Sequence, residues 1–176
     1  MDIRRVATGH TADGKATVSS DLKIKGTTVA FLPGFELHTL WGADQPPTFP
    51  DDGSMPSFER YFPAEGGVRF GVVTFPPETN SDEVSVEPEA AMAEVEEKWP
   101  GMAATWEADN PGMHTSDTVD FEFIISGEIW LELDNGEEIH LKAGDTVVQN
   151  GTRHAWHNRS KDPCRMVVCL VGAKRG

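Results

Sequence analysis

The chain has 176 residues, of which 38% are hydrophobic and 25% are charged, a composition that suits one folded domain and excludes a disordered chain. Twenty-nine acidic residues against fifteen basic ones give a net charge of −14, which disfavours binding to nucleic acid or to an anionic membrane. No apolar run is long enough for a membrane helix, and the N-terminus lacks the apolar segment of a signal peptide.

The first half of the chain contains short β-type runs separated by loops. Residues 1–26 are polar and predict an N-terminal arm with one strand. The runs TTVAFL (27–32) and FELHTLWG (35–42) predict two further strands. Residues 43–67 are rich in Pro, Gly and Asp, which predicts a loop, and a loop of this length is often functional.

The strand VRFGVVTF (68–75) ends at two prolines. An insertion, residues 79–111, follows it and contains the one helix we predict, at about 88–102. Pro88 suits the first helical turn, and Pro100-Gly101 ends the helix. Four apolar residues form a stripe at helical spacing: Met92, Val95, Trp99 and Met102. We expect this stripe to pack on the strands, and either the helix or the 43–67 loop to cover the site described below.

From Phe121 onwards the chain alternates short strands and turns: FEFIIS, EIWLEL, EEIHL, TVVQ, HAWHN and CRMVVCLV. Asn-Gly pairs at 135–136 and 150–151 are strong hairpin signals. Strands at this spacing predict an all-β sandwich or barrel. We find no internal repeat and predict one domain over residues 1–176.

The two cysteines, Cys164 and Cys169, fall in the last of these strands. Five residues of strand place them on opposite faces and roughly 16 Å apart, too far for a disulfide. Free thiols favour a reducing compartment, so we predict a cytoplasmic protein.

Two groups of residues in this β region have a recognisable spacing. In the first, His114, Ser116 and Asp120 precede Gly127. In the second, GDTVVQNGTRHAWHN contains, in order, Gly144, Gln149, Gly151, His154 and Asn158. Residues 112–172 thereby resemble the cupin family, whose first motif places His-x-His before a Glu and a Gly, and whose second ends in a His and an Asn. Asp120 stands at the Glu position, Ser116 at the second His, and Gln149 where a proline is expected.

The resemblance implies a cupin-type jelly-roll β-barrel with an N-terminal strand arm and one inserted helix. Cupin metal sites use three His and one Glu, and this chain retains His114, Asp120 and His154. These three side chains are enough for an Fe(II) site or a catalytic zinc, so a divalent metal (Fe, Zn, Ni or Mn) is an expectation alongside a metal-free site. One straight strand would separate His114 from Asp120 by roughly 20 Å, so the chain must turn between them.

Strand parity places Asp120 and Glu122 on one face, with Phe121 on the other. We expect that face to point inward, although a shift in parity would leave Glu122 in solvent. Two buried carboxyls two residues apart raise each other's pKa and are candidates for acid–base catalysis together with His114 and His154.

Further candidates surround this set. Trp130, Trp156, Arg153 and Ser116 are predicted to bind substrate, Arg153 through a substrate carboxylate. The other histidines are more typical of ordinary strand or arm residues than of ligands: His10, His38, His140 and His157. Aromatic residues inside small barrels are core by default, which is the alternative for Trp130 and Trp156, and Arg153 is equally compatible with a surface role.

Three functions remain open at this point. The first is a small-molecule enzyme, a lyase, dehydratase, decarboxylase or isomerase, acting on an organic acid or polyketide-like substrate by acid–base chemistry with or without a metal. The second is a non-haem Fe(II) dioxygenase with His114, Asp120 and His154 as its ligands. The third is a non-catalytic small-molecule binding protein. The resemblance also implies a homodimer, paired through the N-terminal arm.

Overall fold

The computed structural model describes residues 1–78 and 86–176, so the first residues of the predicted insertion, 79–85, lie outside the described residues. The described part contains ten strands and one α-helix. The strands are β1 (Ile3–His10), β2 (Ala16–Ile24), β3 (Glu36–Ala43), β4 (Val68–Phe75), β5 (Thr118–Ser126), β6 (Glu128–Glu132), β7 (Glu138–Lys142), β8 (Thr146–Asn150), β9 (Ala155–His157) and β10 (Cys164–Gly172), and helix α1 spans Pro88–Lys98.

These strands form a jelly-roll barrel from two antiparallel sheets. One sheet has the order β3-β4-β10-β5-β8 and the other the order β7-β6-β9, while β1 and β2 make a separate hairpin. The hydrophobic core lies between the sheets and takes Ile124 and Met166 from the first, Ile129 and Leu131 from the second, and Val95 from α1. The fold is therefore mostly β with one helix, as the sequence predicts.

Side chains alternate between buried and exposed along β5 and β10, two inner strands of the larger sheet. Every second residue of β10 is buried, from Cys164 to Gly172, and β5 follows the same rule from Thr118 to Ile124. Cys164 and Cys169 are both free, one buried and one partly exposed. Their placement on opposite faces confirms the prediction that they do not pair.

The turns depend on glycine and asparagine in the left-handed region. Asn135 and Gly136 have φ values of 61° and 71° in the β6–β7 hairpin, so this Asn-Gly pair confirms its turn prediction. The pair at 150–151 does not make a hairpin, because β8 pairs with β5 and β9 pairs with β6. Gly127, between β5 and β6, has a φ of 77°, and a β-carbon there would lie 2.6 Å from the backbone oxygen of Pro163. No other residue fits that position without moving the chain.

Two predictions for the N-terminal region are wrong. Residues 27–32 do not form a strand; Thr27 makes only an isolated bridge to Leu37. Residues 1–26 contain two strands rather than one, because β1 and β2 pair with each other along most of their length. Their polar outward residues hide the strand pattern from a search for apolar alternation. The hairpin is held to β3 by Arg5, whose Nη1 donates to the backbone oxygen of Leu40 at 3.1 Å.

The helix is shorter than predicted. Helix α1 ends at Lys98, and a separate 3-10 turn spans Ala103–Thr105. Pro100 explains the early end, since the residue before a proline disfavours helical backbone, and Trp99 is already extended at φ −138° and ψ 76°. Val95, Trp99 and Met102 of the predicted stripe are buried in the core, whereas Met92 is exposed. No helix in the described part of the chain is long and apolar enough to cross a membrane.

The segment between β3 and β4 contains no helix or strand, as predicted for the 43–67 loop. It nevertheless packs on the barrel, because Tyr61 and Phe62 contact the core and the Tyr61 amide donates to the backbone oxygen of Pro100 at 2.9 Å. The loop and the helical segment therefore both cover the barrel core and are tied to each other.

Candidate functional site

Strand β5 places two carboxyl groups inside the barrel. Asp120 is 4% exposed and Glu122 is 6% exposed, which confirms the inward parity. Their lateral neighbours on β10 are the aliphatic residues Leu170 and Val168. Asp120 Oδ1 and Glu122 Oε2 are buried without a hydrogen-bond partner. Since buried polar atoms are nearly always paired, these two oxygens mark the interior as a candidate site.

Burial disfavours the ionised form of both carboxyls. Burial raises the pKa of Asp120 to about 6, with a hydrogen bond from Thr118 opposing the rise. Burial, and then repulsion from Asp120, raises the pKa of Glu122 to about 8. Near neutral pH the pair therefore holds about one proton, which leaves one group as a base and the other as an acid.

A chain of hydroxyl groups leads to Asp120 along the start of β5. Ser116 and Thr118 are both buried, and their side-chain oxygens are 2.7 Å apart. Either hydroxyl can donate in this contact, and Thr118 also lowers the pKa of Asp120 through a hydrogen bond. Ser116, predicted to bind substrate, is thus engaged within the protein.

The loop before β4 brings Tyr61, the sole tyrosine of the chain, towards the carboxyl pair. Burial raises the pKa of Tyr61 well above its usual range, and the nearby Asp120 and Glu122 raise it further, while Arg69 lowers it. The phenol therefore stays protonated at neutral pH and remains a hydrogen-bond donor.

Arg69 fixes this loop to the barrel. Its side chain is buried on β4 and makes five hydrogen bonds with its five N–H groups. The acceptors are the backbone oxygens of Arg60, Ala43 and Val68 and the carboxylate of Asp44. Phe58 covers one face of the guanidinium at 4.0 Å. Tyr61, next to Arg60, is positioned by this network.

The two histidines of the motifs lie side by side. His114 and His154 bond through their backbones, and their ring centroids are 4.1 Å apart. Each Nδ1 faces a backbone oxygen, Gly112 at 3.0 Å and Thr152 at 2.9 Å. A carbonyl only accepts hydrogen bonds, so Nδ1 carries the proton in both rings and Nε2 is left as the basic atom.

Both imidazoles are neutral near pH 7. Burial lowers the pKa of His114. Burial, and then the neighbouring His114, lowers the pKa of His154 to about 4. The rings therefore offer two Nε2 acceptors and no positive charge.

Gln149 lies between the strand position of Asp120 and the residues next to His154. It lies opposite Asp120 across the β5–β8 pair, and its side-chain nitrogen donates to the backbone and side-chain oxygens of Thr152. The same Thr152 backbone oxygen accepts from His154. Trp156, predicted to line the pocket, packs on the core with its ring 5.9 Å from that of His154.

The donor set does not fit the predicted metal site. In the described part of the chain, no three His, Cys, Asp or Glu side chains form a group that could hold a metal ion. The turn between His114 and Asp120 brings His114 to His154 but does not bring Asp120 into a common ligand set with them. Two imidazoles fall short of the three protein ligands of open catalytic sites, so we derive no step through a metal.

Two predicted substrate-binding residues are placed elsewhere. Trp130 lies on the outer face of the smaller sheet, stacked on His140 at 4.1 Å, since Ile129 and Leu131 take the inward positions of β6. Arg153 donates to both oxygens of Glu107 and to Asp134, so it is already neutralised and does not offer a free cation to a carboxylate.

The remaining histidines are engaged outside the interior site. His157 bonds Glu78 and Glu132, each at 2.7 Å, and points away from His154 as predicted. His140 bonds Glu128, and the buried His38 bonds the backbone oxygen of Met1.

Sequence reasoning missed Tyr61, Arg69 and Gln149. The sequence does contain a signal for Arg69, because a charged residue at an inward position interrupts the otherwise apolar strand VRFGVVTF. The sequence signal for Tyr61 is weaker, since it is only a single tyrosine in a loop of Pro, Gly and Asp. Gln149 was noticed only as a departure from the proline of the motif.

A jelly roll with paired histidines and carboxyls inside it defines a cupin-type barrel. Residues 106–170 match the cupin domain family (Cupin_2), so this part of the chain is a cupin domain.

Relatives of this chain occur in fungal biosynthesis clusters. Phomopsin biosynthesis cluster protein C′ of Diaporthe leptostromiformis is 46% identical over 63 residues, which are 35% of this chain and 33% of the relative. A cupin-domain-containing oxidoreductase of Hypocrea virens is 37% identical over 65 residues, 35% of this chain and 34% of the relative. The chain thus matches about a third of the length of these relatives.

The cupin domain of Schizosaccharomyces pombe Cnp3 covers 97% of this chain, and this chain covers 87% of it, at 12% identity and a TM-score of 0.49.

Proposed function

We propose that the protein is an acid–base enzyme, a lyase or isomerase that transforms a small molecule inside the barrel. The observation that carries this proposal is the pair of buried carboxyls, Asp120 and Glu122, each with an unpartnered oxygen. The relatives named as biosynthesis cluster proteins support a role in secondary metabolism.

The proposed reaction uses the two protonation states of the pair. The ionised carboxyl, Asp120, takes a proton from a carbon next to a carbonyl, and the protonated carboxyl, Glu122, gives its proton to the leaving oxygen. Carbon–hydrogen and carbon–oxygen bonds break, a carbon–carbon double bond forms, and water leaves. Tyr61 donates a hydrogen bond to the carbonyl oxygen, where negative charge develops.

A proton-exchange measurement tests this chemistry. The neutral β-hydroxy ketone 4-hydroxybutan-2-one is incubated with the protein in D₂O, and proton NMR follows both deuterium uptake next to the carbonyl and loss of water. We expect Asp120→Asn to slow both processes by about 10² or more. Glu122→Gln is expected to slow the loss of water more than the uptake of deuterium.

Glu89→Gln, on an exposed position of α1, is the matched control and should leave both rates unchanged. Equal rates in Asp120→Asn and in the unaltered protein would contradict the proposal.

A second candidate is an oxidoreductase. The paired Nε2 atoms of His114 and His154 favour it, as does the name of the Hypocrea virens relative. Oxygen uptake with the same ketone that is lost in His154→Ala would favour this function. Binding of a small molecule without any turnover would instead favour a non-catalytic binding protein.

We also propose that the protein is a homodimer. Phe70, Phe121 and Val148 lie in one row on the outer face of the larger sheet and are 41–56% exposed. Phe123 and Ile125 extend the patch along β5. An apolar face of this kind is rarely left in water.

Light scattering tests the dimer. We expect twice the chain mass at micromolar concentration and at least about 100-fold weaker association for Phe121→Glu, since a charge is then buried in the interface. Phe49→Glu, at a loop position that is 70% exposed, is the control. A monomeric unaltered protein would contradict the dimer.

A further inference from the structure

The free charges inside the barrel have one sign. Asp120 and Glu122 are more than nine-tenths buried, and each has an oxygen without a partner. Any charge they carry is negative, so a ligand that reaches them meets acceptor oxygens.

The positive charges near the interior are already occupied. Arg69 is the only buried lysine or arginine in the described residues, and all five of its N–H groups are bonded. Arg153 is neutralised by Glu107 and Asp134. The Nδ1 atoms of His114 and His154 each face a backbone oxygen, which leaves Nε2 of both rings as an acceptor.

From this distribution we propose that the substrate carries an ammonium group, which lies on the Asp120 and Glu122 oxygens, and that it is not an organic acid. The inference rests on the proposed function of the same site and names its substrate class.

The physical reason is the cost of burying charge. A substrate carboxylate would enter a poorly solvated interior beside a like charge and with no cation free to pair with it. An ammonium group would instead give each orphaned oxygen a charge-assisted hydrogen bond, the strong kind. The net charge of −14 also attracts cations from solution, which favours a cationic ligand over an anionic one.

The surroundings suit the rest of such a molecule. Val168 and Leu170 flank the carboxyls with aliphatic groups, and Tyr61 provides one neutral donor. A short carbon chain with an ammonium group at one end and a carbonyl at the other would use all of these contacts.

Three four-carbon probes that differ mainly in charge test the proposal: butylammonium, 1-butanol and butyrate. The protein is labelled with ¹³C at its carboxyl carbons, and NMR follows the Asp120 and Glu122 signals during each titration at pH 7. We expect butylammonium to shift both signals with a Kd at least tenfold lower than that of butyrate. Asp120→Asn/Glu122→Gln, which keeps the shape of both side chains, should abolish this difference.

Tighter or equal binding of butyrate would overturn the proposal. So would the absence of any shift of the two signals with butylammonium, or a preference for butylammonium that survives in the double variant.

The neutral ketone used to test the proposed function separates that proposal from the ammonium proposal. Exchange that depends on Asp120 without ammonium binding would retain the chemistry and reject the substrate class. Ammonium binding without exchange would retain the ligand class and reject the chemistry.

Discussion

Glu122→Gln is expected to stabilise the protein by about 2 kcal/mol at pH 7. The ordinary pKa of 4.5 rises to about 8 on folding, so the folded carboxyl keeps a proton that the unfolded chain releases. The resulting cost of folding is about 3 kcal/mol at pH 7. Glutamine removes this cost and introduces about 1 kcal/mol for its buried amide group.

The sign of the pH dependence follows from the direction of the shift. Because the folded pKa is raised, the Glu122 carboxyl costs nothing below about pH 4.5, where both states are protonated. The cost grows from about pH 4.5 to about pH 8 and is constant above that. The stability of the unaltered protein should therefore fall across this range, and Glu122→Gln should flatten that fall.

Urea unfolding at pH 5, 6, 7 and 8 measures this effect, with Glu89→Gln as the exposed control. We expect the free energies of unfolding of Glu122→Gln and the unaltered protein to be within about 1 kcal/mol at pH 5 and to separate with rising pH. A constant difference at all four pH values would mean that Glu122 does not stay protonated in the fold.

Arg69→Met is expected to be the most destabilising single change, with a loss of about 4 kcal/mol. The substitution leaves the Asp44 carboxylate and the backbone oxygens of Arg60 and Ala43 without their shared donor. Removing one partner of a buried charge network costs about 3–5 kcal/mol because the remaining groups stay desolvated. Arg69→Lys keeps the charge but supplies fewer donors, so an intermediate loss is expected.

Arg153→Met provides the matched comparison. Arg153 also pairs with two carboxylates, but its side chain is 32% exposed, so its loss should cost less than about 1 kcal/mol. Urea unfolding compares the three variants. A similar cost for Arg69→Met and Arg153→Met would show that the buried network does not hold the fold.

The same variant should release the loop before β4. Arg60 is the one trypsin site within residues 44–67, and its backbone oxygen accepts two of the Arg69 hydrogen bonds. Limited trypsin digestion followed by mass spectrometry should show cleavage after Arg60 rising more in Arg69→Met than cleavage after Lys142. Equal increases at both sites would indicate global unfolding rather than release of the loop.

The barrel strands and the inward carboxyls were predictable because they depend on local pattern. Alternation along β5 and β10 shows which residues face the core, and the Asn-Gly turn at 135–136 sets a hairpin. The same parity places Asp120 and Glu122 inside. The run at 27–32 has β propensity but no strand beside it, and propensity alone does not make a strand.

The site's composition depended on long-range contacts that local pattern does not contain. Tyr61 lies close enough to the carboxyls for their charge to raise its pKa, although its loop is about sixty residues earlier in the chain and is held by Arg69. Trp130 and Arg153 carry the right chemistry, but one faces outward and the other is paired with Glu107.

The sequence by itself determined the barrel class, through the spacing of its short strands and the resemblance of residues 112–172 to cupins. It also determined the free cysteines and the inward face of β5, since both follow from alternation over a few residues. Only the tertiary structure decided that His114 joins His154 without Asp120, and that Arg69 is fully occupied. The physical reason is that a ligand set or a charge balance depends on which distant groups share a buried space. Burial then sets their protonation, as the raised pKa values of Asp120 and Glu122 illustrate.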